Sequence, residues 1–182
     1  MRVLIATLLM LTPLTAVADP LCEELWLTRN TVFDRAGYCF GSPLGEAIFD
    51  NGDCTTSQPK LSSEGTQVVE MVREVEEEFA CKVDASAVKF ELDHVFERLV
   101  LQDLPVRTGY ESACVGYIGP ALLLTSGRHP DSPISGEILT GMDIMFEYIP
   151  VDGMDFINLG KGEMGWVATS FITPAVCTDI AG

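Results

Sequence analysis

Six widely spaced cysteines constrain the fold of this chain more than any other feature of its sequence. They are Cys22, Cys39, Cys54, Cys81, Cys114 and Cys177. Their number is even and no Cys-x-x-Cys pair occurs, which favours disulfides formed in an oxidising compartment over a zinc or redox site. Six cysteines can pair in many ways, and the sequence alone does not choose among them.

One pairing keeps each bridge within one half of the chain, and we expect it for that reason. It joins Cys22 with Cys81, Cys39 with Cys54, and Cys114 with Cys177. Each bridge would stabilise the fold by about 2–4 kcal/mol by restricting the unfolded chain.

The amino-terminal residues predict export from the cytoplasm. Arg2 precedes an apolar run from Val3 to Val17, and small residues stand at Ala16 and Ala18. This is the pattern of a cleavable secretory signal peptide, with cleavage expected before Asp19. The run is shorter than the roughly 20 residues that a transmembrane helix needs, so we expect no membrane insertion after cleavage. The predicted location is periplasmic or secreted.

The charge of the chain limits its partners. The formal net charge is −16, and loss of Arg2 with the signal peptide would make it more negative. Nucleic acid and anionic membrane surfaces would be repelled, so no nucleic-acid partner is expected. A cationic partner stays possible, although acidity that only keeps the protein soluble is the simpler interpretation.

The first half of the mature chain has helical patterns. Apolar or small residues recur at helical spacing from Leu21 to Ala36, and Gly37 is placed to end that helix. A short helix is expected at Leu44–Phe49. Ser62 is a candidate N-cap for a third helix, which would bury a stripe from Val68 to Phe79.

The second half has patterns typical of β-structure. Val88, Phe90 and Leu92 alternate with charged residues, which predicts a strand. The segment 95–106 is ambiguous between a helix and an extended linker. Short apolar runs separated by Gly, Pro, Ser and Asp then predict a small all-β barrel. The runs are 115–118, 121–125, 134–139, 143–149, 156–159 and 166–172.

The segment Arg29–Tyr38 resembles the motif of the YARHG family of exported bacterial domains. The residues that carry the resemblance are Arg29, Asn30, Phe33, Arg35, Gly37 and Tyr38. The Tyr and His that give the family its name are Phe33 and Ala36 in this chain, so chemistry that requires the histidine is absent. We expect structural roles for the motif residues.

The second half resembles the bacterial SH3-like (SH3b) domain from Cys114 to about Cys177. The matching positions are 122–127, 132–134, Gly136, Leu139, Gly141 and 165–167. The resemblance implies a small barrel that binds a cell-wall peptide. The candidate ligand-binding residues of this region are Tyr148, Asp155 and Trp166.

No part of the sequence carries a complete catalytic set, and we expect neither a cofactor nor a bound metal. Residues 160–165 fit G-x-G-x-x-G, but a tryptophan-led strand follows them where a dinucleotide site needs a helix. His94 and His129 lie far apart in sequence. The acidic turns at 50–53 and 152–155 are better explained as turns than as calcium sites.

The sequence therefore predicts an α+β protein with an N-terminal helical domain followed by a small SH3-like all-β barrel. The expected divisions are residues 1–18 for the signal peptide, 19–84 for a helical YARHG-like domain, 85–110 for a connecting segment and 111–182 for the barrel. The expected function is non-catalytic binding of a cell-wall peptide or an envelope protein. Two alternatives stay open: an envelope hydrolase with a carboxylate pair, and an acidic inhibitor or accessory subunit of a periplasmic enzyme.

Overall fold

The computed structural model describes residues 19–182, and the predicted signal peptide at residues 1–18 lies outside the described residues. The chain is an α+β protein with helices first and strands second. The helices are α1 (Pro20–Arg35), α2 (Pro43–Ile48), α3 (Ser63–Glu78) and α4 (Val95–Leu99). The strands are β1 (Arg107–Tyr117), β2 (Leu122–Thr125), β3 (Ile134–Ile138), β4 (Ile144–Tyr148), β5 (Met154–Gly160), β6 (Glu163–Ala168) and β7 (Cys177–Ala181).

Local sequence signals explain where the two long helices begin and end. The Asp19 side chain accepts a hydrogen bond from the Leu21 N–H at 3.0 Å, and Pro20 occupies the first helical position of α1. Gly37 follows α1 with φ +79°, a conformation that glycine adopts without strain. Ser62 caps α3 by accepting from the Gly65 N–H, as the sequence predicts.

The helical region packs as two apolar clusters on opposite sides of α1. Leu25 and Val32 of α1 contact a valine stripe on α3, whose central residue Val72 is fully buried. Trp26 faces the other way and packs against Phe40 and Phe49. Because α1 contributes to both clusters, it is the central element of this region.

The strands form two antiparallel sheets with the orders β4-β1-β7 and β3-β2-β6-β5. A two-residue turn at Asp152–Gly153 connects β4 to β5 and so joins the sheets, and both of its residues have positive φ. Asp-Gly suits such a turn because its backbone twist matches that of the flanking strands. The core between the sheets includes fully buried Tyr117, Leu124 and Ile138.

Three disulfides bridge the described chain, in the same pairs that the sequence predicts. Cys22–Cys81 ties the start of α1 to the end of α3. Cys39–Cys54 closes the loop that contains α2, and Cys114–Cys177 joins β1 to β7. Disulfides of this kind indicate an extracytoplasmic protein. In residues 19–182 no helix has the length and apolar character needed to span a membrane.

The predicted strand at residues 88–92 is wrong. The segment is irregular because its polar groups bond to the helical region: the Glu91 N–H donates to the Glu23 carboxylate at 3.1 Å. Phe90 packs edge-on against Trp26, while Val88 is 70% exposed. The alternating pattern therefore marks a segment that lies against the helices without a partner strand.

Two further elements differ from the sequence-based expectation. β1 begins at Arg107, inside the expected connecting segment 85–110, and that segment also contains α4. β7 is largely exposed, and Thr178 and Asp179 interrupt its apolar residues, so no apolar run predicts it. The ladder with β1 and the disulfide at Cys177 hold it in place. The domain divisions themselves stay predictions.

A buried cluster of charges, here called the Glu24 cluster, ties the helical region to the strands. Glu24 of α1 is 2% exposed and pairs with Arg98 of α4 and with Arg107 of β1. Arg107 also pairs with Glu147 of β4 at 2.7 Å, and Arg98 lies 3.5 Å from the Tyr148 hydroxyl. Burial opposes the charge on Arg98, but Glu24 raises its pKa above the ordinary value. The same burial, with Glu24 adding to it, raises the pKa of the Tyr148 phenol.

Candidate functional site

An open groove runs along α3, between that helix and the strands. It consists of three adjoining clefts of about 310, 360 and 380 Å³. The first and second clefts share Glu64, Val68 and Leu104, and the second and third share Gln67 and Met71. Since neighbouring clefts share residues, they form one continuous surface, which we call the α3 groove.

The groove collects side chains from both halves of the chain. Val32 and Val68 come from α1 and α3, while Leu104 and Val106 come from the segment before β1. Val151, beside the turn between β4 and β5, completes the apolar part of the surface. A fourth cleft, of about 470 Å³, is lined by residues 19–91 alone. The α3 groove is the better candidate site because it is the longer surface and residues from both halves of the chain line it.

Arg128 crosses the groove and bonds to carboxylates on three elements. It pairs with Glu64 at the start of α3, and at 2.6 Å with Asp152 in the β4–β5 turn. Its backbone N–H donates to Asp103, and its guanidinium carbon lies 5.5 Å from the centre of the Trp166 ring. We call Arg128 with these three carboxylates the Arg128 bridge. Its outer carboxylates are well exposed, at 58% for Glu64 and 82% for Asp152, so the bridge is in contact with solvent.

The three predicted ligand-binding residues are buried. Trp166 is 1% exposed, and its indole N–H donates to the Asp103 carbonyl at 3.0 Å. Tyr148 is 6% exposed and belongs to the Glu24 cluster; Asp155 is 8% exposed. Tyr148, Phe156 and Trp166 pack edge to face in one row. Of the three predicted residues, Trp166 alone lines the groove, and their role in binding stays a prediction.

Three of the motif residues of α1 make polar contacts within the fold. Arg29 binds the Glu76 carboxylate of α3 through two of its nitrogens. The buried Asn30 side chain donates to the Trp26 carbonyl at 2.8 Å. Arg35 donates to backbone carbonyls that follow α4, including Gln102 at 3.0 Å, and burial lowers its pKa.

The other motif residues shape the turn after α1. Phe33 and Tyr38 pack with ring centres 6.1 Å apart. The Gly37 carbonyl accepts from the Thr55 N–H at 2.8 Å, and a side chain at position 37 would collide with Thr55. These contacts give the motif residues structural roles, and Arg35 also lines the first cleft of the α3 groove.

The carboxyls whose pKa is raised by burial lie away from the groove. Burial raises the pKa of three carboxyls: Asp34, with Asp53 adding to the effect; Glu147, with Arg107 opposing it; and Asp155. None of these three lines the α3 groove. Within residues 19–182, no three metal-binding side chains are grouped to hold an ion. The carboxyls with a raised pKa therefore lie outside the groove.

Comparison with known families accounts for both halves of the chain. A model described as "Domain of unknown function (DUF4453)" matches residues 80–182. The chain belongs to the DUF4453 family. The YARHG domain model matches residues 1–77, which confirms the predicted YARHG resemblance. The DUF4453 match begins at residue 80 and so includes α4 and the segment that floors the α3 groove.

The other comparisons add no further relative. No curated protein and no solved structure matches the chain. The family found in the second half is DUF4453, so the SH3b resemblance remains a hypothesis about its barrel and its ligand. The groove thus lies where a YARHG domain meets a DUF4453 domain.

Sequence inspection missed Arg128, Asp103 and Glu64 as partners. They lie in different elements and are separated by 25 or more positions, so no local motif joins them. The one available signal was Arg128 itself, a cation in a Gly-Arg-His-Pro loop of a chain with few cations.

Proposed function

We propose that this protein is a non-catalytic, extracytoplasmic binding protein whose ligand lies in the α3 groove. The expected ligand is a peptide, from the cell wall or from an envelope protein. The observation that carries the proposal is the groove itself: an open surface with an apolar floor and a charged rim, built jointly by the YARHG and DUF4453 domains. The SH3-like barrel in the second half of the chain and the periplasmic location of the protein are parts of this proposal.

The dimensions of the groove suit an extended peptide. The α3 residues that line it run from Ser63 to Glu74, which at about 1.5 Å per residue spans roughly 17 Å. A peptide in extended conformation covers that length with about five residues. Apolar side chains of such a ligand would contact the groove floor, and its polar groups would remain at the rim.

Site-specific photo-crosslinking tests the proposal in cells that produce the full chain. A photoreactive phenylalanine analogue at Gln67 stands on the groove, where the second and third clefts meet. The same analogue at Thr66, an exposed α3 residue that does not line the groove, is the matched control. We expect a crosslinked wall peptide or envelope protein from position 67 and not from position 66. Equal yields from the two positions would reject the groove as the binding site.

A further inference from the structure

The lower end of the α3 groove, next to the turn between β4 and β5, is acidic. Its rim carries Glu70, Glu74 and Asp152, and no Lys, Arg or His belongs to the described residues that line it. Glu70 and Glu74 are exposed, lie one helical turn apart and form no ion pair within the described chain. Between them the surface is apolar, with Met71, Pro150 and Val151.

Apolar surface flanked by carboxylates matches the side chains of lysine and arginine. Such a side chain covers apolar surface with its methylene stem and places its charge at the end. A wholly apolar ligand would instead cover the rim carboxylates without pairing them, which costs free energy. The geometry thus favours a basic segment over an apolar one.

The other possible occupants fit the charges less well. A second copy of the chain carries the same net charge of −16 and would be repelled. A cell-wall peptide carries several carboxylates beside its amino group, so its net charge favours the acidic rim less than that of a basic protein segment. We infer that the partner is an envelope protein, and that it places a short extended segment containing Lys or Arg in the lower end of the α3 groove. This inference rests on the proposed function and names its ligand.

Arg128 indicates where the cation of such a segment would bind. It already supplies the cation that Glu64 and Asp152 bind within the chain. A ligand cation beyond it meets Glu70 and Glu74, which form no ion pair within residues 19–182, although Arg73 stands next to Glu74 in sequence. Arg128 therefore occupies one cation position of the groove, and a second cation position, beside Glu70 and Glu74, is open to the partner.

A random heptapeptide display library, selected on residues 19–182, tests the inference. Groove-dependent peptides are those that bind the wild-type chain and Thr66→Trp but not Gln67→Trp, which fills the groove. We expect Lys and Arg to be enriched at least threefold among them. The double variant Glu70→Lys, Glu74→Lys should weaken their binding about tenfold or more, because attraction becomes repulsion.

The matched charge control is Glu46→Lys with Glu77→Lys, which changes the net charge equally at exposed residues outside the groove. It should alter binding less than threefold. Groove-dependent peptides without Lys or Arg, or equal losses in both double variants, would overturn the inference and leave the proposed groove function standing. A selection that returns no groove-dependent peptide would overturn both.

Discussion

The Glu24 cluster and the Arg128 bridge use the same chemistry in two different environments. Each joins the helical region to the DUF4453 region through arginine and carboxylate side chains. In the Glu24 cluster, which we call closed, the central Glu24 is 2% exposed and Glu147 is 15% exposed, and Glu111, which pairs with Arg107 at the edge, is 58% exposed. In the Arg128 bridge, which we call open, Glu64 is 58% and Asp152 is 82% exposed. The difference teaches that burial decides the role. The closed cluster fixes how the two regions pack, and the open bridge borders the surface available to a ligand.

Replacing Glu24, the centre of the closed cluster, is the most direct test of whether this cluster stabilises the packing of the two regions. Glu24→Gln leaves Arg98 buried without a carboxylate partner, while Arg107 keeps its pair with Glu147. We expect a loss of about 3–5 kcal/mol in the free energy of unfolding, because an uncompensated buried charge is costly. Urea denaturation measures it, with exposed Glu46→Gln as control. A loss below about 1 kcal/mol would contradict the assignment of the cluster as the main tie between the regions.

Trp166, which lies under the Arg128 bridge, can be tested for a contribution to stability as opposed to ligand binding. Trp166→Phe removes the indole N–H that donates to the Asp103 carbonyl, and leaves unfilled volume in the core. We expect about 1–3 kcal/mol of destabilisation. The control is Trp26→Phe, since Trp26 makes no comparable side-chain hydrogen bond in the described chain. Unchanged stability together with lost ligand binding would return Trp166 to the role that the sequence predicts for it.

Arg128 tests the open bridge itself. Arg128→Gln should cost about 1 kcal/mol or less, because its partners Glu64 and Asp152 are exposed and each such pair contributes little. The cost should shrink further in about 1 M salt, where the screening length falls to about 3 Å. Denaturation of both proteins at low and high salt is the measurement. A cost as large as that of Glu24→Gln would remove the distinction between the two clusters.

The smallest expected effect is the pH dependence that Glu147 gives to the closed cluster. Burial raises its pKa in the folded state, so the folded protein holds this proton more tightly than the unfolded chain. The favourable contribution is complete below the ordinary glutamate pKa of about 4.3 and is lost as pH rises through the raised value. In Glu147→Gln the free energy of unfolding should not show this decrease with rising pH. Denaturation across about pH 4–7 measures the difference, and a wild-type advantage that grows with pH would contradict the sign.

Local signals made much of the helical region predictable. Ser62 as a cap, Gly37 as a terminator and the valine stripe of α3 each act within a few residues, so sequence inspection located them. The alternation at residues 88–92 led to a wrong prediction because it too is a signal that acts only within a few residues. The alternation is real, but a strand also needs a partner strand, which depends on tertiary structure. The segment packs on Trp26 instead.

The candidate site was far less predictable. Trp166 was predicted both to fill the core and to bind ligand, and the fold buries it under Arg128. Arg128 itself has partners from residues 64, 103 and 152, and only the packing of α3 against the strands brings them together. No spacing rule connects such distant positions.

Sequence inspection was sufficient for the α+β order of elements, the YARHG resemblance, the acidity and the six cysteines, from which the observed disulfide pairs were predicted. These properties depend on composition and on short-range patterns. The buried ion pairs that the two regions share, and the α3 groove between them, could be found only in the folded chain. The physical reason is that a side chain's burial, and the partners it meets, depend on segments distant in sequence.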